Sequence, residues 1–132
     1  MRCAQRYWIS TNFQPSFYIY NVKMKKISFL GHSLDDLREF PSTARSEAGY
    51  QLDRVQHGLE PEDFKPMASI GKGVWEIRIS DEAGQFRVIY IAKIKDAVFV
   101  LHCFQKKSQK TPLKDLDLAS KRLRELLQGH PS

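Results

Sequence analysis

"FRVIYIAKIKDAVFVLHCFQKK", residues 86–107, contains two apolar runs joined by the polar pair Lys95-Asp96 and closed by a basic tail. Runs of this length, bounded by polar residues and rich in Val, Ile, Phe and Tyr, predict paired central strands over 86–94 and 97–104. Arg87, His102, Lys106 and Lys107 sit in or beside them. Burying such groups without partners is costly. They are therefore either satisfied inside the fold or turned toward a surface that receives a negatively charged partner.

A two-residue loop at Lys95-Asp96 sets Ile94 opposite Ala97, Arg87 opposite Phe104 and Ile89 opposite His102. Cross-strand partners share a face, so Arg87, His102, Phe104 and Lys106 emerge together. The other face then carries Phe86, Val88, Tyr90, Ala92, Phe99, Leu101 and Cys103 as core. A three-residue loop shifts the parity and breaks this grouping. Residues 74–80 alternate cleanly, with Trp75, Ile77 and Ile79 on one side and Glu76, Arg78 and Ser80 on the other. Arg78 joins the cationic group if that polar side is the shared one.

Working outward, residues 27–30 predict a short strand. Ser33-Leu34-Asp35-Asp36 has capping-box spacing and predicts a helix to about Phe40, with Ser33 as cap. Pro41-Ser42 opens a second helix, whose apolar positions Ala44, Ala48, Leu52, Val55 and Leu59 step by three or four, and Gly58 sits where a C-terminal cap is expected. Residues 67–70 predict a further strand before a Gly71-Lys72-Gly73 turn. Thr111-Pro112 predicts an N-cap and a first helical position, followed by a stripe of Leu116, Ala119, Leu123, Leu126 and Leu127. These elements imply an α+β fold: a mainly antiparallel, twisted sheet, a helical hairpin packed on one face, and a C-terminal helix. The other face is expected to be a partly apolar, strongly basic concavity. Residues 24–132 form the single expected domain. Residues 1–23 hold scattered aromatics without a period, and read either as an extension preceding a natural start at Met24 or as an extra strand at the sheet edge.

The 132 residues suit one domain, and a hydrophobic content of 42% supports an ordinary globular core. No apolar run reaches the ~20 residues of a membrane span, and polar residues interrupt the start where a signal peptide would be apolar. A free Cys103 within an apolar strand suits a reducing cytoplasm. The net charge of +6 favours phosphate-rich or acidic partners. His32, His57, His102 and His130 show no metal-ligand spacing, and His102 and Cys103, adjacent in one strand, point to opposite faces. No phosphate-cradling glycine loop or catalytic serine motif is present, and no metal or cofactor is expected.

For the opening residues two readings stand side by side. Clustered cations stabilise charge developing on a phosphoryl centre, Phe104 could stack a base, and His102 could move protons near neutral pH. Alternatively Arg87 ion-pairs with a carboxylate such as Glu76, His102 is a satisfied strand histidine, and Lys106-Lys107 is a solvated strand end.

The run "GKGVWEIRISDEAGQFRVIYIAKIKDAVFVLHCFQKKSQKTP" resembles the signature of the RelE/HigB-type toxins, in particular their phage-related HigB-like branch, and the resemblance covers about residues 24–127. It implies a RelE-like fold and the toxin of a type II toxin–antitoxin module, a cytoplasmic, metal-independent endoribonuclease that cuts messenger RNA on the ribosome. It further implies catalytic roles for Arg87 and Arg78 and a phosphate-binding cation at Lys106, or at Lys107 in the alternative register. His102 is the candidate general base on proton chemistry, and Phe104, Lys107 and Lys110 are candidate RNA contacts. Glu76 stands where some relatives carry a lysine, and the tyrosine that some carry near the C-terminus has no counterpart after Thr111-Pro112. The implied partners are a helix-turn-helix antitoxin, messenger RNA and the ribosome, with no membrane. The alternatives are a non-catalytic inhibitor of DNA gyrase, like the related ParE toxins, and an inactive toxin-like binding module.

Overall fold

The computed structural model describes residues 18, 19 and 22–129, with side chains from Met24 onward. The strands are β1 (Tyr18–Ile19), β2 (Val22–Lys23), β3 (Lys26–Phe29), β4 (Phe64–Pro66), β5 (Val74–Asp81), β6 (Gly84–Ile94) and β7 (Ala97–Lys106). The helices are α1 (Ser33–Arg38), α2 (Ser42–Gln56) and α3 (Leu113–Leu127). β1 and β2 pair as a two-stranded sheet of their own, and most of the 1–23 segment lies outside the described residues. The remaining five strands run in the order β3-β7-β6-β5-β4, with β3 parallel to β7 and every other pair antiparallel. The result is an α+β fold on a mixed sheet. Among the described residues no helix is long and apolar enough to cross a membrane.

The hairpin between β6 and β7 turns at Lys95 and Asp96, both at φ 54°. Two left-handed central residues match the twist of the flanking strands, although Lys-Asp is a poorer pair than Asn-Gly. The expected partners Ile94↔Ala97, Ile89↔His102 and Arg87↔Phe104 all occur. Between them the register slips by one residue and returns, giving Tyr90↔Val100 and Ile91↔Phe99 and leaving Leu101 without a partner in β6. Such a bulge turns the bulged strand's next side chain to the other face. Phe99 and Leu101, expected beneath the helical hairpin, consequently pack with α3 instead.

Two cores follow, one on each face of the sheet. Leu37, Phe40, Ala44, Ala48, Leu52 and Val55 of the α1–α2 region bury Ile77, Ile79, Phe86, Val88, Tyr90, Val98, Val100 and Cys103. Ala119, Leu123 and Leu126 of α3 bury Ile89, Ile91, Phe99, Leu101 and Phe104 on the opposite face. The open concavity expected there is therefore half filled: α3 covers the apolar half, and the cationic half remains uncovered.

Three local expectations shift for identifiable reasons. Ser33 does not cap α1; it is fully buried and its hydroxyl donates to the Val100 carbonyl at 3.3 Å, while His32 occupies the cap position. The strand expected at 67–70 lies earlier, at Phe64–Pro66, because residues 67–70 turn back on themselves through Ile70 N–H to Met67 O at 3.0 Å. The N-cap of α3 is Pro112, not Thr111.

α3 is fastened by Arg122, whose Nη1 donates to the Leu101 carbonyl at 2.8 Å, at the residue that the bulge strips of a strand partner. Its guanidinium crosses Gly31, where a Cβ would approach Nε to 2.5 Å. Gly31 also sits at φ 56°, so only glycine meets both demands. Replacing Arg122 by Leu orphans that buried carbonyl, and urea denaturation should show a loss of about 1–3 kcal/mol.

Candidate nucleic-acid interface

On the α3 face, strand alternation sets out rows of polar side chains beyond the end of the helix. Lys65, Glu76 and Ile89 are in register across β4, β5 and β6; Arg78, Arg87 and Phe104 form the next row across β5, β6 and β7. Gln85 and Lys106 follow at the open end. An open cleft of about 730 Å³ lies there, lined by Gly84, Gln85, Arg87, Gln105, Lys106, Lys107, Ser108 and Gln109. Its charged side chains are all cations.

Arg87 is 7% exposed. Its Nη1 donates to the Phe86 carbonyl at 2.9 Å, and its Nε lies 3.6 Å from Oε1 of Glu76. Glu76 is fully buried, and Lys65 Nζ approaches the same oxygen at 3.8 Å. The ion pair weighed for Arg87 thus exists, yet the residue also lines the cleft. The two readings of Arg87 describe one arrangement. Removing Arg87 alone would leave a buried carboxylate facing only Lys65, and breaking a buried pair costs about 3–5 kcal/mol.

Arg78 shares the face with Arg87 but turns to the bend before β4, where its Nε and Nη2 both lie 2.8 Å from Oδ1 of Asp63. It opens onto a neighbouring cavity of about 460 Å³ with Glu47, Glu62, Asp63 and Asp81 on its walls. Four carboxylates around one arginine repel a phosphate backbone, so this cavity is a poor nucleic-acid site.

His102 lies under α3, away from the cleft. Its Nε2 is 2.7 Å from Oδ1 of Asp115, and Arg122 Nη1 stands 3.5 Å from its Nδ1. A guanidinium only donates, so Nδ1 accepts and the ring proton sits on Nε2 facing Asp115. With 5% exposure and both nitrogens engaged, the imidazole is not presented to a ligand. Phe104 is also buried, its ring stacked on His102 at 5.1 Å between centroids, and it faces α3 instead of the cleft. Lys107 lines the cleft, whereas Lys110 lies beyond it, on the loop where its carbonyl accepts from the Ser108 hydroxyl at 2.8 Å. Among the described residues no group of three or more His, Cys, Asp or Glu side chains could hold a metal ion.

The sequence pattern of the phage-derived protein Gp49-like family (DUF891) matches residues 35–124. The chain belongs to this Gp49-like family. The family is one of RelE-like toxins, and Gp49-like toxins generally pair with an antitoxin. No curated protein matches the chain. Every cleft-lining residue of this Gp49-like protein, together with Lys65, Glu76, His102, Asp115 and Arg122, falls within the matched stretch.

Lys65, Gln85, Gln105, Ser108, Gln109, Asp115 and Arg122 were not singled out from the sequence. Lys65 was missed because its strand was placed too late. Asp115 and Arg122, seven residues apart within the apolar stripe of α3, did carry a signal: two charges on a buried helix face demand buried partners.

Burial holds the Lys106 ammonium below the ordinary lysine range; Arg87 adds to this, Glu76 opposes it, and Lys65 and Arg78 contribute less. Burial likewise lowers the Arg87 guanidinium, against the pull of Glu76. The sign for Lys106 follows directly. Removing a neighbouring cation relieves its charged form, and removing the carboxylate does the reverse. Side-chain NMR of Lys106 should accordingly show its titration moving up in Lys65→Met and further down in Glu76→Gln.

Proposed function

We propose that this Gp49-like protein is the toxin of a two-component module and acts as a HigB-like endoribonuclease on messenger RNA at the ribosome. The observation that carries the reading is the cleft itself, where Arg87 from β6 and Lys106 and Lys107 from the end of β7 meet without an intervening carboxylate side chain. Its open form and cationic lining suit a sugar–phosphate backbone, and its amides Gln85, Gln105 and Gln109 suit polar contacts to ribose or base edges.

In the proposed reaction a ribose 2′-oxygen attacks the adjacent phosphorus as its proton passes to solvent water in the open cleft. The bond from phosphorus to the 5′-oxygen breaks, that oxygen takes up a proton, and the products are a cyclic phosphate and a 5′-hydroxyl. No metal step is needed where cations bear the charge. Arg87 and Lys107 hold the non-bridging oxygens as negative charge grows there. Lys106 would deliver a proton to the departing oxygen, because an ammonium made less stable by burial, and then by Arg87, gives its proton up more readily. Arg78, expected to be catalytic, is taken up by Asp63 at the acidic cavity and has no part in this step. His102 was expected as the base; with both nitrogens engaged we give it a supporting role, seating Phe104 and α3 beneath the cleft. An antitoxin, of the helix-turn-helix type in the HigB-like group, would neutralise the protein by covering this cationic end or by blocking its approach to the ribosome.

Purified protein mixed with programmed ribosomes, followed by mapping of message ends, tests the reading. New 5′-hydroxyl ends are expected, and Lys106→Ala and Arg87→Lys should each slow their appearance about 100-fold or more. Arg87→Lys is preferred to Arg87→Ala because it keeps a cation beside Glu76. Intact message together with lost DNA supercoiling would instead favour the ParE-like gyrase inhibitor. Neither effect would leave a non-catalytic binding module.

A further inference from the structure

Glu76 sits at a strand position that an apolar residue would ordinarily fill. It is 0% exposed, in register with Ile89 on one side and Lys65 on the other. Both of its carboxylate oxygens are buried without a hydrogen-bond partner among the described residues, and so is Nε of Arg87. A charge in such a place is expensive, and a hydrophobic substitute of similar volume is often at least as stable. Stability alone gives little reason for a carboxylate here. Its geometry gives a better one.

The Arg87 guanidinium is restrained on two sides: its Nε faces Glu76 at 3.6 Å, and its Nη1 donates to the Phe86 carbonyl at 2.9 Å. Nη2 is left without a hydrogen-bond partner among the described residues, on a side chain that lines the cleft. Oε1 of Glu76 also attracts Lys65 Nζ at 3.8 Å. One buried negative charge thus lies behind like charges that would otherwise drive one another apart and leave Arg87 free to rotate.

We propose that Glu76 is a positioning residue for RNA cleavage: it fixes the plane of the Arg87 guanidinium so that the Nη2 edge meets the scissile phosphate. This rests on the RNase reading and adds to it. Glu76 touches no substrate. It acts through Arg87, by removing the rotational freedom that a long side chain would otherwise lose during the reaction. A carboxylate buried under a phosphate site should also weaken RNA binding, since it cancels part of the attraction. Its effects on binding and on turnover are therefore opposite in sign.

That opposition is the test. In Glu76→Gln, the affinity for a 2′-deoxy-substituted, uncleavable RNA should hold or rise, with a steeper salt dependence, because the net charge increases by one. Turnover on programmed ribosomes should fall about tenfold or more, and Glu76→Asp should recover part of it. Turnover within twofold of the parent protein, or affinity and turnover falling in parallel, overturns the proposal; the parallel loss is what a merely structural role predicts. A second measurement needs neither a well-folded variant nor activity. In the unaltered protein the Arg87 Nε–H should exchange with solvent far more slowly than a free arginine. Exchange at the free rate overturns the proposal directly. A protected Nε–H that Glu76→Gln releases, in a protein that cuts no RNA, supports the pairing and removes the RNase reading.

Discussion

The pairing of β6 with β7 is the constraint on which the rest of the molecule depends. Its register begins at Ile94↔Ala97, slips by one residue through Ile91 and Tyr90, and returns at Ile89↔His102. Were the slip not reversed, the β7 side chains beyond it would change face, and Phe104 and Lys106 would point beneath the α1–α2 hairpin, away from Arg87. Because it is reversed, the polar ends of three strands share one surface. The bulge also frees the Leu101 carbonyl, and that carbonyl is what Arg122 grips to hold α3 on the sheet. Of the two register shifts, the one at Leu101 therefore both turns Lys106 to the face of Arg87 and anchors the helix that stops short of covering them.

Charge is divided along the β5 side of the sheet with equal consequence. The cavity between α2, β4 and β5 gathers Glu47, Glu62, Asp63 and Asp81 around Arg78, while the cleft at the open end of β6 and β7 gathers Arg87, Lys106 and Lys107. The net charge of +6 alone would not separate these two sites. Their local composition does, since only the second offers unopposed positive potential to a phosphate. Glu76 lies beneath the cationic side, balancing Arg87 from behind without entering the cleft.

Much of this was legible in the residues. The alternation of 74–80, the turn at Lys95-Asp96 and the shared face of Arg87 and Arg78 follow from a two-residue period, and the structure carries all three. The bulge was not legible, because its cause is tertiary: Arg122 and α3 stabilise a carbonyl that local sequence cannot mark. Missing it misplaced Phe99 and Leu101. It also made the α3 face look open and left His102 looking available, when Asp115 and Arg122 engage both its nitrogens. Ser33 misled for a related reason. A serine ahead of an acidic pair resembles a cap, yet its hydroxyl is taken by Val100 across the core.

The central claim is that one cationic cleft, framed by the ends of β6 and β7, receives an RNA backbone. The most direct measurement is a titration of the isotopically labelled protein with a short, 2′-deoxy-substituted RNA that cannot be cut, following backbone and side-chain resonances. Shifts concentrated at Gln85, Arg87, Gln105, Lys106 and Lys107, and weakening with added salt, are the result predicted here. Shifts confined to the acidic cavity around Arg78 and Asp63, or no salt-sensitive shifts at all, would contradict it.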